Sequence, residues 1–223
     1  MMESFIHRLL NFLLPQKCLG CNKKQVILCR ECLKTLPLPD SEGPRNIFAA
    51  AHYDYEITRR AVWLLKYRGI KQLAEPLAEL INTRCFSVKH RVFYFDKSEW
   101  IIIPIPLSSK RLRERGYNQA ELIAKHLLDK IKTSDVEIKN IGCLTDVLYK
   151  KFHTESQVNV KDREKRLKNL KGSFGIKNPE LIKNKNIILI DDVSTTGDTI
   201  SEAEKTLLKA GAKKIIAMVV AKG

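Results

Sequence analysis

The sequence predicts an α/β domain built on a parallel β-sheet and preceded by a small cysteine-rich segment. Three observations support this prediction. Short aliphatic runs alternate with amphipathic helical segments along most of the chain, as a parallel sheet with crossover helices requires. Near the C-terminus, one strand–loop–helix–strand unit is complete. Near the N-terminus, four cysteines stand in two closely spaced pairs.

The composition is that of a folded and strongly basic protein. The chain has 223 residues, of which 44% are hydrophobic and 29% are charged, which suits one α/β domain with a small appendage. Its formal net charge of +15 favours anionic partners, either phosphorylated small molecules or nucleic acid. Solvated surface lysines would give the same total charge, so composition alone leaves both interpretations open.

The N-terminal residues 5–14 are apolar on one helical face but are interrupted by His7, Arg8 and Asn11 and ended by Pro15. No apolar run reaches the roughly 20 residues needed to span a bilayer, so stable membrane insertion is not expected. A signal peptide is not expected either, because no small-residue cleavage site follows. We expect a cytoplasmic protein, with peripheral contact at the inner membrane as the alternative.

The two C-x₂-C pairs favour a structural metal site. Each knuckle turns both of its sulfurs towards one point, and Gly20 helps the first turn, so two knuckles supply a tetrahedral Cys₄ site for Zn²⁺. Disulfides or a redox dithiol are the alternative, although a cytosolic chain keeps its thiols reduced. Cys85 and Cys143 are isolated and are interpreted as buried or incidental thiols. The predicted zinc ligands are Cys18, Cys21, Cys29 and Cys32.

The first part of the main domain follows a linker over residues 37–44, so we place the domains at 1–44 and 45–223. A strand is predicted over residues 49–53, a helix over 57–66 and a second helix over 73–81. The Lys-Tyr-Arg-Gly run at 66–69 closes the first helix, and a cationic helix end followed by glycine is sufficient to explain it.

A basic loop follows the next predicted strand, at residues 100–103, and precedes a helix from about residue 120 to 128. Arginine forks at the carboxyl end of a buried strand can stabilise an anionic group. A solvated basic loop is the alternative. The cations of this loop are Lys110, Arg111, Arg113 and Arg115.

The most informative stretch is the C-terminal unit, where an aliphatic strand at 187–190 ends in Asp191 and Asp192. A helix is predicted over 199–209 and a strand over 214–220, so the intervening loop lies where open α/β sheets bind ligands. Its hydroxyl residues, its glycine and the following helix N-terminus suit a phosphate, whereas the two acids suit sugar hydroxyls or a divalent metal. The loop residues are Ser194, Thr195, Thr196, Gly197, Asp198 and Thr199. A receiver domain also has paired acids, but there they lie near its first strand.

The run from residue 187 to 199 resembles the 5-phosphoribosyl-1-pyrophosphate (PRPP) motif of type I phosphoribosyltransferases. With the four-cysteine segment, the chain resembles the ComF/GntX family, whose members join a short zinc-binding N-terminus to a phosphoribosyltransferase-like domain. Several members are linked to natural competence and DNA uptake. The runs at 66–69, 104–107 and 115–119 resemble the same family.

The resemblance implies a type I phosphoribosyltransferase-like domain that binds PRPP with Mg²⁺ and transfers the phosphoribosyl group to an acceptor that no motif identifies. It implies that Asp191 and Asp192 are the catalytic residues and bind the ribose hydroxyls. It also implies that the loop from 194 to 199 holds the 5-phosphate. The implied pyrophosphate-binding residues are Lys110, Arg111 and Arg115.

Residues 150–171 form a second basic region, with eight basic residues against three acidic ones. They resemble the family's flexible region, although Lys150 and Phe152 stand where members often have arginine. A mobile lid that excludes water and a solvated surface helix are both compatible with this pattern.

This region also carries the alternative function, a non-catalytic factor that handles single-stranded DNA during uptake. Cationic single-strand binders stack bases on aromatic side chains, and few aromatics here lie near basic residues, namely Phe152, Phe174 and Tyr117. A further alternative is docking of a DNA-uptake or helicase partner. The nucleic-acid-binding candidates are Arg163, Lys165, Arg166 and Lys168.

Overall fold

The computed structural model describes residues 17–39, 46–86, 99–133, 138, 140–151 and 171–223. Within them, five parallel strands form the main sheet and two short strands pair as an antiparallel ribbon. The main-sheet strands are β1 (Ile47–His52), β2 (Trp100–Pro104), β3 (Ile141–Cys143), β6 (Asn186–Ser194) and β7 (Lys214–Lys222). The ribbon consists of β4 (Leu148–Lys150) and β5 (Phe174–Ile176). The order in the main sheet is β1-β7-β6-β2-β3, which places β6 at the centre.

Helices cover both faces of this sheet. They are α1 (Arg30–Lys34), α2 (Glu56–Tyr67), α3 (Ala74–Cys85), α4 (Ser109–Arg115), α5 (Gln119–Lys132) and α6 (Asp198–Lys209), with 3₁₀ turns at Lys71–Leu73 and Pro179–Leu181. Alternate side chains of β6 enter two separate apolar clusters, as the pleat of a strand requires. Ile188 and Ile190 pack with residues of α2, α3 and α5. Ile187 and Leu189 pack with residues of α6 and the β4–β5 ribbon. The predicted α/β class with a parallel sheet is therefore confirmed.

Two elements differ from the sequence prediction. Strand β6 does not end before the acids but continues through them, because Asp191, Val193 and Ser194 pair with β7. The basic loop contains the short helix α4, which the sequence pattern did not predict because almost every position in it is polar. The Ser108 hydroxyl accepts a hydrogen bond from the Arg111 N–H at its start, and Gly116 ends it at a φ of 78°.

The cysteine segment packs directly on the helical layer of the main domain. Leu28, Leu33 and Leu36 belong to the same apolar cluster as the buried residues of α2 and α3. From α3, the Arg84 guanidinium donates to the carbonyl oxygens of Lys34 at 3.1 Å and Leu36 at 2.9 Å. The predicted domain boundary falls within residues 40–45, outside the described residues, and stays a prediction.

None of the helices described is both long enough and apolar enough to cross a bilayer. The predicted N-terminal helix falls in residues 1–16, outside the described residues. Cytoplasmic location and peripheral membrane contact therefore stay predictions.

Replacing Leu189 with alanine should lower the free energy of unfolding by about 2–5 kcal/mol, because the leucine side chain is fully buried in the apolar cluster that the sheet forms with α6 and the β4–β5 ribbon. Leu208→Ala is the matched control, since Leu208 is 45% exposed on α6, and its effect should stay within about 0.5 kcal/mol. Urea denaturation followed by circular dichroism measures both. Equal losses would contradict the position assigned to β6.

Candidate functional site

A cavity of about 420 Å³ opens at the edge of the sheet where β2 and β6 end. Parallel strands bring their carboxyl ends to the same edge, and α/β sheets bind ligands there. Its walls come from the end of α2, the segment after β2, helix α4, the end of β4, the end of β6 and the start of α6. The lining residues are Lys66, Tyr67, Gly69, Ile105, Pro106, Leu107, Ser108, Arg111, Glu114, Arg115, Gln119, Lys150, Asp191, Asp192, Val193 and Thr199.

The two acids lie at the floor of this cavity in different environments. The Asp192 side chain is only 3% exposed, and its Oδ1 lies 2.7 Å from the Lys66 Nζ. Its Oδ2 has no hydrogen-bond partner among the described residues. The Asp191 Oδ1 accepts the Asp192 backbone N–H at 2.8 Å. Burial and the neighbouring Asp192 raise the pKa of Asp191 to about 7, so a hydroxyl donor or a cation near it would stabilise its charged form.

The loop expected to hold a phosphate connects β6 to α6. Gly197 adopts a φ of 80°, a left-handed conformation that favours glycine, and it directly precedes the first turn of α6. The free backbone N–H groups of that turn can bind an anion. Of the six predicted loop residues, Thr199 lines the cavity. Thr195 and Thr196 are exposed, and the Thr196 hydroxyl donates to Asp198 Oδ2 at 2.5 Å.

Three further cations line the same cavity as the acids. Arg111 and Arg115 come from α4, as predicted for the basic loop, and Lys150 comes from the end of β4. Burial and then the nearby charge of Arg111 lower the pKa of Lys150. Like charges held together in this way favour an anionic ligand. Lys110, also predicted for this role, is exposed and does not line the cavity.

Sequence reasoning missed two of the cavity's charged residues. The sequence pattern explains Lys66 as one cation of a capped helix end, yet in the structure it forms an ion pair with Asp192. In the sequence, Lys150 stands out only as a departure from the family's arginine positions, yet it lines the cavity. The signal for Lys66 was the run at 66–69 that resembles the family. No local pattern distinguished Lys150 from the other lysines of its region.

The four N-terminal cysteines converge on one point. Their Sγ atoms all lie within 4.8 Å of one another, and the Cys21 and Cys29 sulfurs are 3.7 Å apart. Four thiolates at the ~2.3 Å Zn–S distance have sulfurs about 3.8 Å apart, so the cluster can hold a tetrahedral metal ion. Gly20 permits this approach, because a Cβ there would lie 2.6 Å from the Cys32 Sγ.

The electrostatics of the cluster fit a bound cation. Burial raises the pKa of Cys18, but hydrogen bonds from the backbone N–H groups of Cys21, Cys29 and Gly20 outweigh it and lower the pKa to about 6. Burial and the other three sulfurs raise the pKa of Cys32 to about 12. A metal cation would relieve this repulsion and favour thiolates.

The residues predicted to bind nucleic acid, Arg163, Lys165, Arg166 and Lys168, lie outside the described residues, as does Phe152. The structure corrects one aromatic candidate. Phe174 is only 2% exposed in the second apolar cluster, so its ring is not available to stack on a base.

Comparison with known proteins identifies relatives along most of the chain. The family described as "Phosphoribosyl transferase domain" matches residues 113–223. Competence protein F of Haemophilus influenzae is 36% identical over 189 residues, which cover 84% of this chain and 75% of that protein. Competence protein ComFC of Bacillus subtilis is 31% identical over 199 residues, which cover 87% of this chain and 72% of that protein.

Among solved structures, a hypoxanthine phosphoribosyltransferase from Staphylococcus aureus aligns with 68% of this chain and 62% of its own, at 13% identity and a TM-score of 0.32. That likeness is too distant to bear on the site. The sequence relatives and the domain match are sufficient by themselves: the chain belongs to the ComF family of competence-associated proteins, with a phosphoribosyltransferase-like domain.

Proposed function

We propose that the cavity binds PRPP together with Mg²⁺ and that the protein transfers its phosphoribosyl group to an acceptor. The observation that carries the proposal is the combination of the acid pair, the α6 N-terminus and three cations around one cavity. A ligand with a phosphate, a ribose diol and a pyrophosphate satisfies all three sets of groups. A volume of about 420 Å³ is within the range of small-molecule sites.

Each part of the ligand is assigned to a wall of matching chemistry. The 5-phosphate binds at the loop from Ser194 to Thr199 and the N-terminus of α6. Asp191 and Asp192 accept hydrogen bonds from the ribose hydroxyls. Pyrophosphate lies against Arg111 and Arg115, which can form paired hydrogen bonds with its oxygens.

The residues present also fit Mg²⁺, which prefers oxygen ligands and keeps part of its water shell. Asp191 and Asp192 both line the cavity, and the buried Asp192 Oδ2 has no hydrogen-bond partner among the described residues. When bound with PRPP, Mg²⁺ would neutralise charge on the pyrophosphate.

The chain's own contribution to the reaction is positioning and electrostatic stabilisation. The bond between the ribose C1 and the pyrophosphate oxygen breaks, and its electron pair leaves with the pyrophosphate. Arg111 and Arg115 stabilise the charge that accumulates there. The acids hold the ribose while the acceptor donates an electron pair to C1 and then loses a proton to solvent. This scheme requires no covalent nucleophile from the protein.

Asp192→Asn should weaken PRPP binding about 10- to 100-fold, because it replaces a charged acceptor of the ribose hydroxyls with an amide. Calorimetric titration with PRPP, with and without Mg²⁺, measures the affinity. Asp146→Asn is the control, since Asp146 is exposed and does not line the cavity. Equal affinities for wild type and Asp192→Asn would overturn the assignment. Metal-dependent binding that is lost in Asp192→Asn would justify a screen for the acceptor.

The pyrophosphate assignment has its own internal control on α4. Arg111→Ala should weaken binding of PRPP and of free pyrophosphate by about tenfold or more, because a charge-assisted hydrogen bond is lost. Arg113→Ala removes the same charge from the same helix, but Arg113 is exposed and does not line the cavity, so affinity should be nearly unchanged. Equal effects of the two variants would indicate only a general loss of positive charge.

We further propose that the metal of the cysteine cluster is structural Zn²⁺. Four thiolates at these separations are typical of closed zinc sites, whereas a catalytic zinc keeps one position open. The cluster packs in the core shared with α2 and α3, so bound zinc would stabilise the helices beside the cavity.

Gly20→Ala should lower the zinc content of the protein, because the added methyl group meets the Cys32 sulfur at 2.6 Å. It should also lower the free energy of unfolding by about 1–3 kcal/mol. Gly142→Ala is the matched control, since a Cβ at that position meets no atom within 4 Å. Zinc released by a thiol-modifying reagent and thermal melting measure the two effects. Unchanged zinc content in Gly20→Ala would contradict the assigned ligand geometry.

The competence-associated relatives support a role in natural competence and DNA uptake. Binding of single-stranded DNA rests mainly on residues 163–168, outside the described residues, and stays a prediction together with docking of an uptake or helicase protein. Salt-dependent affinity for single-stranded DNA in a chain that fails to bind PRPP would favour this alternative.

A further inference from the structure

Lys66 forms the one described ion pair of the acid motif. Its ammonium group lies 2.7 Å from Asp192 Oδ1, and the two side chains are 21% and 3% exposed. The lysine is not part of the β6–loop–α6 unit that carries the motif. It comes from the last turn of α2, on another wall of the same cavity.

A carboxylate as buried as that of Asp192 requires compensation, because loss of hydration penalises its charged form. Lys66 supplies the opposite charge to Oδ1 and leaves Oδ2 without a partner among the described residues. Oδ2 is itself buried, so it is an unsatisfied acceptor that a hydroxyl or a cation of a bound ligand would compensate. The ion pair occupies Oδ1, holds the carboxylate in one orientation, and leaves Oδ2 as the unsatisfied oxygen.

The backbone around Lys66 is held in place on either side. The Tyr117 hydroxyl donates to the Leu65 carbonyl oxygen, and the Leu65 side chain is fully buried. The Tyr67 ring lies 5.6 Å from the Arg115 guanidinium carbon, a cation–π contact with helix α4. These two contacts, one on each side of Lys66, connect the end of α2 to the segment that carries the cavity's arginines.

We propose that Lys66 is a positioning residue that prepares Asp192 to bind the ribose diol, and that it acts through this carboxylate rather than by contacting the phosphates. The assignment rests on the proposed function, because it specifies how one of the proposed ligand-binding acids is held. Lys66 would then orient a ligand-binding carboxylate, in addition to placing a positive charge at the C-terminus of α2.

The test compares three ligands that share different parts of PRPP. Calorimetry with Mg²⁺ measures the affinities of PRPP, ribose 5-phosphate and pyrophosphate for the full-length, zinc-loaded protein. Lys66→Met, which keeps the length of the side chain without its charge, should weaken PRPP and ribose 5-phosphate by the same factor of about ten or more. Pyrophosphate affinity should stay unchanged. Lys66→Arg should restore most of the affinity, because it keeps the positive charge.

A double-mutant cycle separates an effect through Asp192 from direct contact with the ligand. In an Asp192→Asn background, Lys66→Met should cause no further loss, because the carboxylate that it positions is gone. Lys209→Met is the matched control, since Lys209 is exposed at the end of α6 and does not line the cavity. Thermal melting and zinc content report on folding. If the methionine variant does not fold, Lys66→Gln takes its place in every comparison.

Three results would overturn the positioning role while leaving PRPP binding intact. They are unchanged PRPP affinity in Lys66→Met, an equal loss of pyrophosphate affinity, and a loss that persists in full in the Asp192→Asn background. Wild-type protein that binds neither PRPP nor ribose 5-phosphate would overturn the proposed function, and this assignment with it.

Discussion

The parallel direction of the five main strands is the constraint on which the site depends. Because each strand ends at the same edge, the acids of β6 lie beside the segment that follows β2, although the two are far apart in the sequence. Strand β6 is central and buried on both faces; β2 pairs with it as far as Ile190, and β7 continues the pairing through Asp191 to Ser194. The carboxylates are therefore placed by the sheet itself, while helices supply the groups around them.

Most of the cavity's cations form no described ion pair with the acids of β6. The acids lie at the end of β6, whereas Arg111, Arg115 and Lys150 occupy other walls. If these cations paired fully with the acids, neither set would remain available to a ligand. The single described exception is the Lys66–Asp192 pair, which satisfies one carboxylate oxygen and leaves the other without a partner. A ligand with anionic ends and a hydroxyl-bearing centre suits this arrangement.

The cysteine cluster is connected to the cavity through the core that it shares with α2. Its apolar residues share the core of α2 and α3, and α2 ends at the cavity with Lys66 and Tyr67. A metal ion that orders the four sulfurs would therefore also stabilise the support of the ion pair. Gly20 is required for this closeness, because a side chain at that position would occupy the space of the Cys32 sulfur.

The sequence by itself determined whatever depends on neighbouring residues. The aliphatic run before Asp191, the glycine turn at Gly197 and the cysteine spacing predicted the strand, the loop and the cysteine cluster, because each is a local pattern. Only the tertiary structure decided that Lys66 meets Asp192, that Lys150 lines the cavity while Lys110 does not, and that Phe174 is buried. These outcomes depend on which faces of distant elements pack together, and no spacing within one segment encodes that.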